Sequence, residues 1–202
     1  MIQSRPALVL ASNSRARARL LEGAGLAFTR RPADVDETTI KQALVEHGAD
    51  AERVARDLAE AKALAVSTDV PGALVIGADQ TLECGGVLYD KPGSVTAARR
   101  QLQSLAGRRH RLVSAVCVGR DGAALWHDVQ DAHLTMRPLS NRFIADYLSR
   151  AGPAVFDAVG SYHVEGLGVH LFSCIDGDYF TILGLPVLPL LAFLRHQGAL
   201  AG

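Results

Sequence analysis

The stretch PALVLASNSRARARLLEGAG, residues 6–25, passes from an unbroken apolar run through three small polar residues into an arginine-rich segment that ends on glycine. A continuous apolar run of this length suits a strand covered on both faces. Ser12 and Ser14 then offer oxygens to cap a helix, and Gly23 or Gly25 stops it. Strand, loop and helix in that order begin an α/β unit.

Working outward, the alternation continues. Leu26 to Arg30 predicts a second strand, and Pro32 opens the polar loop ADVDE, with Asp34, Asp36 and Glu37 ahead of a helix capped by Thr38 or Thr39. From Asp50 to Ser67, Val54, Leu58, Ala61 and Ala65 recur at helical spacing, with Lys62 just off that line. ALVIGADQTLECGGVLYDKPGS then reads as a strand, a site loop and a hairpin turning at Gly85-Gly86. Ser94 caps a helix through Leu105 that Gly107 ends, and two alternating segments about Asp121-Gly122 form a long hairpin. Ser140 caps a helix to Arg150, and Gly152 to Gly168 reads as a functional loop without period. Val169–Ile175 and Tyr179–Leu183 predict a strand pair about Asp176-Gly177, and Pro186 starts the last helix. The class is α/β or α+β, with a mixed twisted sheet flanked by helices, in a single domain over residues 1–202.

With 49% hydrophobic and 21% charged residues, the 202-residue chain has ample apolar mass for a core, which excludes a disordered protein. Formal net charge is zero, so no global field attracts nucleic acid or an anionic membrane, and an anionic ligand must meet a local cluster. Cys84, Cys117 and Cys174 have no metal or redox spacing and read as small core residues in a reducing compartment. The apolar run at Ala7–Ala11 meets arginines rather than a cleavage site, and Gly184, Pro186 and Pro189 interrupt the apolar C-terminus. The expectation is a cytoplasmic protein with neither a nucleic acid nor a membrane as partner.

Four clusters could carry chemistry. Ser12-Asn13-Ser14 with Arg15, Arg17 and Arg19 lies where a buried strand feeds a helix, a favoured place for phosphate because free N–H groups and the helix dipole face the anion. On spacing alone, the serines equally serve as plain caps and the arginines as a solvated face. Asp79 leaves the apolar strand at the bend GADQ, where a carboxylate can hold a metal or take a proton from water, or simply stabilise a turn. Asp36-Glu37 adds the hard oxygens that Mg²⁺ or Mn²⁺ prefers, although acidic loops are commonly just solvated. In VGSYHVEGLG, glycines admit close backbone approach, and Tyr162, His163 and Glu165 can stack on or hydrogen-bond a flat ligand. Lys62 and Lys91 can each neutralise a phosphate or stand as ordinary surface lysines. Seven histidines without paired spacing disfavour zinc, and the absence of GxSxG disfavours acyl chemistry.

Taken in order, LVLASNSRARARLLEGAGLAF, PADVDE, LAEAKA, VIGADQTL, DKP, LAGRRHRLVSAV, VGSYHVEGLG and GLPVLPLLAFL resemble the Maf family of nucleoside triphosphate pyrophosphatases over essentially the whole chain. The resemblance implies a Maf/Ham1 (ITPase-like) fold with two lobes around a central cleft. It implies hydrolysis of a nucleoside triphosphate to the monophosphate and pyrophosphate with a divalent cation, Mg²⁺ or Mn²⁺, and a homodimer. Carried over residue by residue, it makes Asp79 the catalytic base and places Asp79 and Glu37 at the metal. Ser12, Ser14, Arg17, Lys62 and Lys91 fall on phosphates, and Gln80 and Glu165 on the base. Gln80 and Glu165 are similar to the branch acting on 7-methyl-GTP rather than to that taking dTTP and UTP, which has Thr and Gln there; Ala16 matches neither. The resemblance also implies house-cleaning of nucleotide pools and a link to cell-division arrest. Two rival readings are a non-catalytic nucleotide sensor acting in septum formation and an enzyme of the inosine triphosphatase type.

Overall fold

The computed structural model describes residues 5–201. In chain order the elements are β1 (Leu8–Leu10), α1 (Arg15–Gly23), β2 (Thr29–Arg30), α2 (Glu37–Glu46), α3 (Ala51–Ser67), β3 (Leu74–Cys84), β4 (Val87–Tyr89), α4 (Val95–Leu105), β5 (Arg109–Arg120), β6 (Ala123–Met136), α5 (Asn141–Ala151), β7 (Phe172–Asp176), α6 (Tyr179–Ile182) and α7 (Val187–His196). The strands form a mixed sheet in the order β2-β1-β3-β5-β6-β7, with β4 paired to β3. β1 runs parallel to β2 and β3, whereas β4 and β7 run antiparallel to β3 and β6. Of the two classes the alternation allows, this is α/β, the one the family resemblance implies.

The chain divides into two compact units: residues to Asp79 with Ser114–Gln130 and Gly184 onward, and Gln80–Val113 with Asp131–Leu183. In the first, Leu8, Val9 and Leu10 pair with Leu74, Val75 and Ile76, all buried, which is why both stretches are uninterrupted apolar runs. α3 lies directly on β3. A Cβ at Gly77 would sit 2.2 Å from the Ala59 carbonyl oxygen, 2.6 Å from the Ala63 nitrogen and 2.9 Å from the Ala63 methyl, so the helix backbone meets the strand with no room for a side chain at Gly77. Trp126 stacks on Phe193 with centroids 4.9 Å apart, so it belongs to the packing of this unit.

The second unit is built around Leu82, Leu102, Leu105, Leu112, Leu134, Met136, Ile144 and Leu171, contributed by strands, by one face each of α4 and α5 and, for Leu171, by the 3-10 turn that leads into β7. Gly85 and Gly86, with φ 62° and 79°, make the two-residue turn that joins β3 to β4.

Several elements differ from expectation. Tyr179–Ile182 is a helical turn rather than a strand, because the Asp178 carboxylate accepts the Thr181 N–H at 3.0 Å and caps it, while β7 pairs with β6. Asp36, not Thr38 or Thr39, caps α2: its carboxylate accepts the Thr39 N–H at 3.0 Å and the Thr39 hydroxyl at 2.7 Å. Those bonds also hold the Asp36 carboxyl below its ordinary pKa. The loop after Gly152 is mostly 3-10 turns, Pro153–Asp157, Val159–Ser161 and Leu167–Leu171. Cys84 and Cys117 are buried but Cys174 is exposed on β7, since it sits on the open face of an edge strand. Among the described residues, no helix is long and apolar enough to cross a membrane.

Gly77→Ala should force α3 away from β3 and lower stability by about 1–3 kcal/mol, as overpacking does. Urea unfolding of the variant against the parent chain measures it.

Candidate functional site

The apolar spacing of α3 places Lys62 beside the buried stripe, yet Lys62 is itself buried, between Leu58 and Ala59 one turn before and Ala63 and Val66 after. The stripe therefore runs through the lysine, and Ala65 is exposed. A buried ammonium must find anionic partners, since taking an unpaired charge out of water is prohibitive. Lys62 finds two, donating to Asp79 Oδ1 at 2.6 Å and pairing with Glu37 Oε2 at 2.9 Å. Asp79 is carried there by β3, directly after the Gly77 contact with α3, and its side chain is 12% exposed. Glu37 arrives on the first turn of α2, where the N-terminus favours an acid, and is 46% exposed. One acid of the pair is thus held out of solvent and the other faces it.

The turn from β1 to α1 lies in the same unit. Ser14 caps α1, its oxygen accepting the Arg17 N–H at 3.3 Å, and Ser12 accepts the Ser14 N–H at 3.1 Å. Both hydroxyls accept from the main chain, which leaves their O–H groups able to donate outward. Arg17 is buried, while Arg15 and Arg19 are exposed, so the arginine row divides into one interior and two solvated members. The Arg17 guanidinium is locked by the carbonyls of Gly184, through Nε at 2.8 Å, and Ala78, through Nη1 at 2.8 Å, with Ser12 Oγ at 3.3 Å. Its Nη2 is the part those contacts do not use. Burial lowers the Arg17 pKa from its ordinary value, and the charges of Asp79 and Glu37 oppose that shift. Arg17 and Lys62 against Glu37 and Asp79 make a cluster of balanced charge.

A divalent cation suits this cluster. Glu37 and Asp79 already converge on one cationic centre, and both supply the hard oxygens that Mg²⁺ and Mn²⁺ take. Among the described residues no group of three or more His, Cys, Asp or Glu could cage a metal. Two carboxylates alone would leave most positions of a hard cation's oxygen shell to water or other oxygens.

The remaining candidates lie in the second unit. Gln80 follows Asp79 on β3, and its Nε2 donates to the carbonyls of Thr181 and Ile182 at 3.1 and 3.0 Å, which holds α6. Lys91 is exposed beyond β4. Glu165 stands at a turn, its Oε1 3.8 Å from His163 Nδ1, while His163 Nε2 contacts the Ala154 carbonyl at 3.0 Å. Tyr162, expected to stack on a ligand, is 5% exposed instead; its hydroxyl meets His110 Nε2 at 2.7 Å and its ring packs edge-on against Phe172. Burial moves the His110 pKa down to about 4, so it is neutral near pH 7. The sequence reading missed the Ala78 and Gly184 carbonyls and the His110 partner of Tyr162. No motif announces a carbonyl as a ligand, and the alanines at 61 and 65 obscured the stripe on which Lys62 lies.

Removing the cation that two acids share is expected to cost far more than removing the outer acid. Lys62→Met should lower stability by about 3 kcal/mol, because it strands the Asp79 charge. Glu37→Gln should change it by about 1 kcal/mol or less, since solvent screens that partner. Urea unfolding at neutral pH and low salt compares the two.

Comparison with known proteins places this geometry in context. The family described as Maf-like protein matches residues 7–197. A 7-methyl-GTP pyrophosphatase of Brucella abortus is 52% identical over 195 residues, covering 96% of this chain and 98% of its own. A nucleoside triphosphate pyrophosphatase of Paramagnetospirillum magneticum is 52% identical over 192 residues, covering 95% and 99%. A 7-methyl-GTP pyrophosphatase of Rhizobium etli is 50% identical over 197 residues, covering 98% and 99%. With a mixed α/β sheet and similarity along nearly its whole length, the chain belongs to the Maf-like protein family.

Proposed function

We propose that the chain is a hydrolase that converts a nucleoside triphosphate and water into the nucleoside monophosphate and pyrophosphate. The observation that carries this reading is Lys62 held between Glu37 and Asp79 in the unit where Arg17 is clamped at the β1–α1 turn. Relatives at about half identity named for nucleoside triphosphate and 7-methyl-GTP pyrophosphatase support it. The family match spans residues of both units, which supports a single functional domain over residues 1–202.

Asp79 is the general base. Oδ1 is anchored by Lys62, and Oδ2 has no protein partner among the described residues, so it can accept a proton from a water directed at the α-phosphorus. The pyrophosphate leaves as the new P–O bond forms, and the proton passes to Asp79. Ser12 and Ser14 donate hydroxyl hydrogens to phosphate oxygens, and Arg17 offers Nη2 from a guanidinium that cannot swing away. Lys62 and Lys91 balance charge on the departing group, the term that dominates phosphoryl transfer. Glu37 and Asp79 are the residues that would hold Mg²⁺ or Mn²⁺. When bound, the cation supplies charge neutralisation on the triphosphate oxygens.

The substrate on this reading is 7-methyl-GTP, whose base is a modified purine, 7-methylguanine. The relatives' names support it, as does Glu165, an exposed carboxylate able to accept protons from a purine edge, with Gln80 holding the neighbouring α6. Cytoplasmic house-cleaning of nucleotide pools and a homodimer belong to the same proposal. Light scattering tests the dimer, which should show twice the 21.5 kDa chain mass.

The deciding experiment follows pyrophosphate release from 7-methyl-GTP, GTP, ITP, UTP, dTTP and CTP with Mg²⁺ or Mn²⁺. Release should require the metal, favour 7-methyl-GTP, and fall at least ~10²-fold in Asp79→Asn with nucleotide still bound. Binding without release from any base would establish a nucleotide sensor instead, and a preference for ITP would indicate the inosine triphosphatase type.

A further inference from the structure

Gln101, on the flank of α4, touches two irregular segments of the second unit with the two ends of one amide. Its Nε2 donates to the carbonyl of Asp90 at 2.5 Å, and its Oε1 accepts from the hydroxyl of Ser161 at 3.0 Å. The assignment of the two ends is forced, because the Asp90 carbonyl can only accept. Asp90 immediately precedes Lys91, and Ser161 opens the turn that leads to Glu165. α4 grips the first segment a second time, where the Tyr89 hydroxyl meets Ser104 Oγ at 3.0 Å.

The second segment is over-determined. Ser161 is fully buried at φ 63°, a left-handed conformation that a serine keeps only when its surroundings impose it. Its carbonyl accepts from the Tyr147 hydroxyl at 3.1 Å, and the next residue, Tyr162, is pinned by His110 at 2.7 Å. At the far end, a Cβ on Gly168 would lie 2.3 Å from the His163 carbonyl oxygen, so the turn closes tightly on itself. Glu165 lies on the turn between these two held points, Ser161–Tyr162 and Gly168.

We infer that Gln101 is a positioning residue, whose amide fixes the main chain ahead of Lys91 against the main chain ahead of Glu165, so that the lysine for phosphate and the carboxylate for base stand in register. This rests on the roles given to Lys91 and Glu165 under the proposed function. A stabilising part alone is a poorer account: the residues of α4 that face the core are Ala98, Leu102 and Leu105, and Gln101 is only partly buried. The hydrogen bonds of its side chain go to the Asp90 carbonyl and the Ser161 hydroxyl, in the two segments that carry the exposed Lys91 and Glu165. Holding a ligand-contacting side chain through a neighbour's hydrogen bonds is how pre-organised sites are built.

The two arms are separable. Gln101→Glu keeps an acceptor for Ser161 and loses the donor to Asp90; Ser161→Ala does the reverse; Gln101→Leu loses both. Steady-state kinetics with 7-methyl-GTP and UTP, alongside Lys91→Ala and Glu165→Gln, read them out. Gln101→Glu should raise KM about three- to tenfold for both nucleotides, leaving their kcat/KM ratio unchanged as Lys91→Ala does. Ser161→Ala should lower that ratio about three- to tenfold, as Glu165→Gln does, and the Ser161→Ala, Glu165→Gln double variant should lose no more than Glu165→Gln alone. Gln101→Leu should show both effects. The inference is overturned if Lys91→Ala and Glu165→Gln act as stated while the Gln101 and Ser161 variants leave KM and ratio unchanged. It is equally overturned if those variants lose kcat uniformly in step with a fall in Tm. Silence of Lys91→Ala and Glu165→Gln themselves overturns the roles on which it rests.

Discussion

A buried ammonium that must be neutralised organises the first unit. Lys62 lies on the face of α3 that packs against β3, where desolvation leaves it no choice but to pair, and the carboxylates it gathers come from two other elements. Asp79 comes from the strand beneath and Glu37 from the first turn of α2. Neither acid is near the lysine in sequence, yet each is set by a local rule: a glycine contact that fixes helix on strand, and an N-cap at Asp36 that places the next residue at a helix start. The same arrangement that satisfies the lysine aligns two oxygen donors on one centre. On the proposed function, stability and chemistry depend on the same three side chains.

Arg17 repeats the logic with carbonyls in place of carboxylates. Its guanidinium ties the end of β3, through Ala78, to the chain at Gly184 and to Ser12. Part of the donor set is committed to the fold and part is not, which gives an anion a fixed partner at little entropic cost. A lysine here could not bridge carbonyls from a planar fork.

Much of this was legible in the residues. Unbroken apolar runs at Leu8–Leu10 and Leu74–Ile76 announced buried strands, serines ahead of α1, α4 and α5 announced their starts, and Gly85-Gly86 and Asp121-Gly122 announced hairpins. What failed had local competitors. Tyr179–Ile182 carries strand-forming residues, but Asp178 caps it as a helix; the threonines after Asp36 look like caps but serve as partners of one. The lysine stripe of α3 was read one residue off because Ala61 and Ala65 are as apolar as the residues that face inward. Tyr162 looked available to a ligand because its hydrogen-bond partner, His110, is far away in sequence. Pairings of that range are set by the packed chain and leave no local trace.

The claim on which the account turns is that water attacks the α-phosphorus at Asp79. Turnover of 7-methyl-GTP with Mg²⁺ in ¹⁸O-labelled water, followed by ³¹P NMR of both products, tests it most directly. The account predicts the label in the nucleoside monophosphate and none in the pyrophosphate. Label in the pyrophosphate would place attack at the β-phosphorus and contradict it.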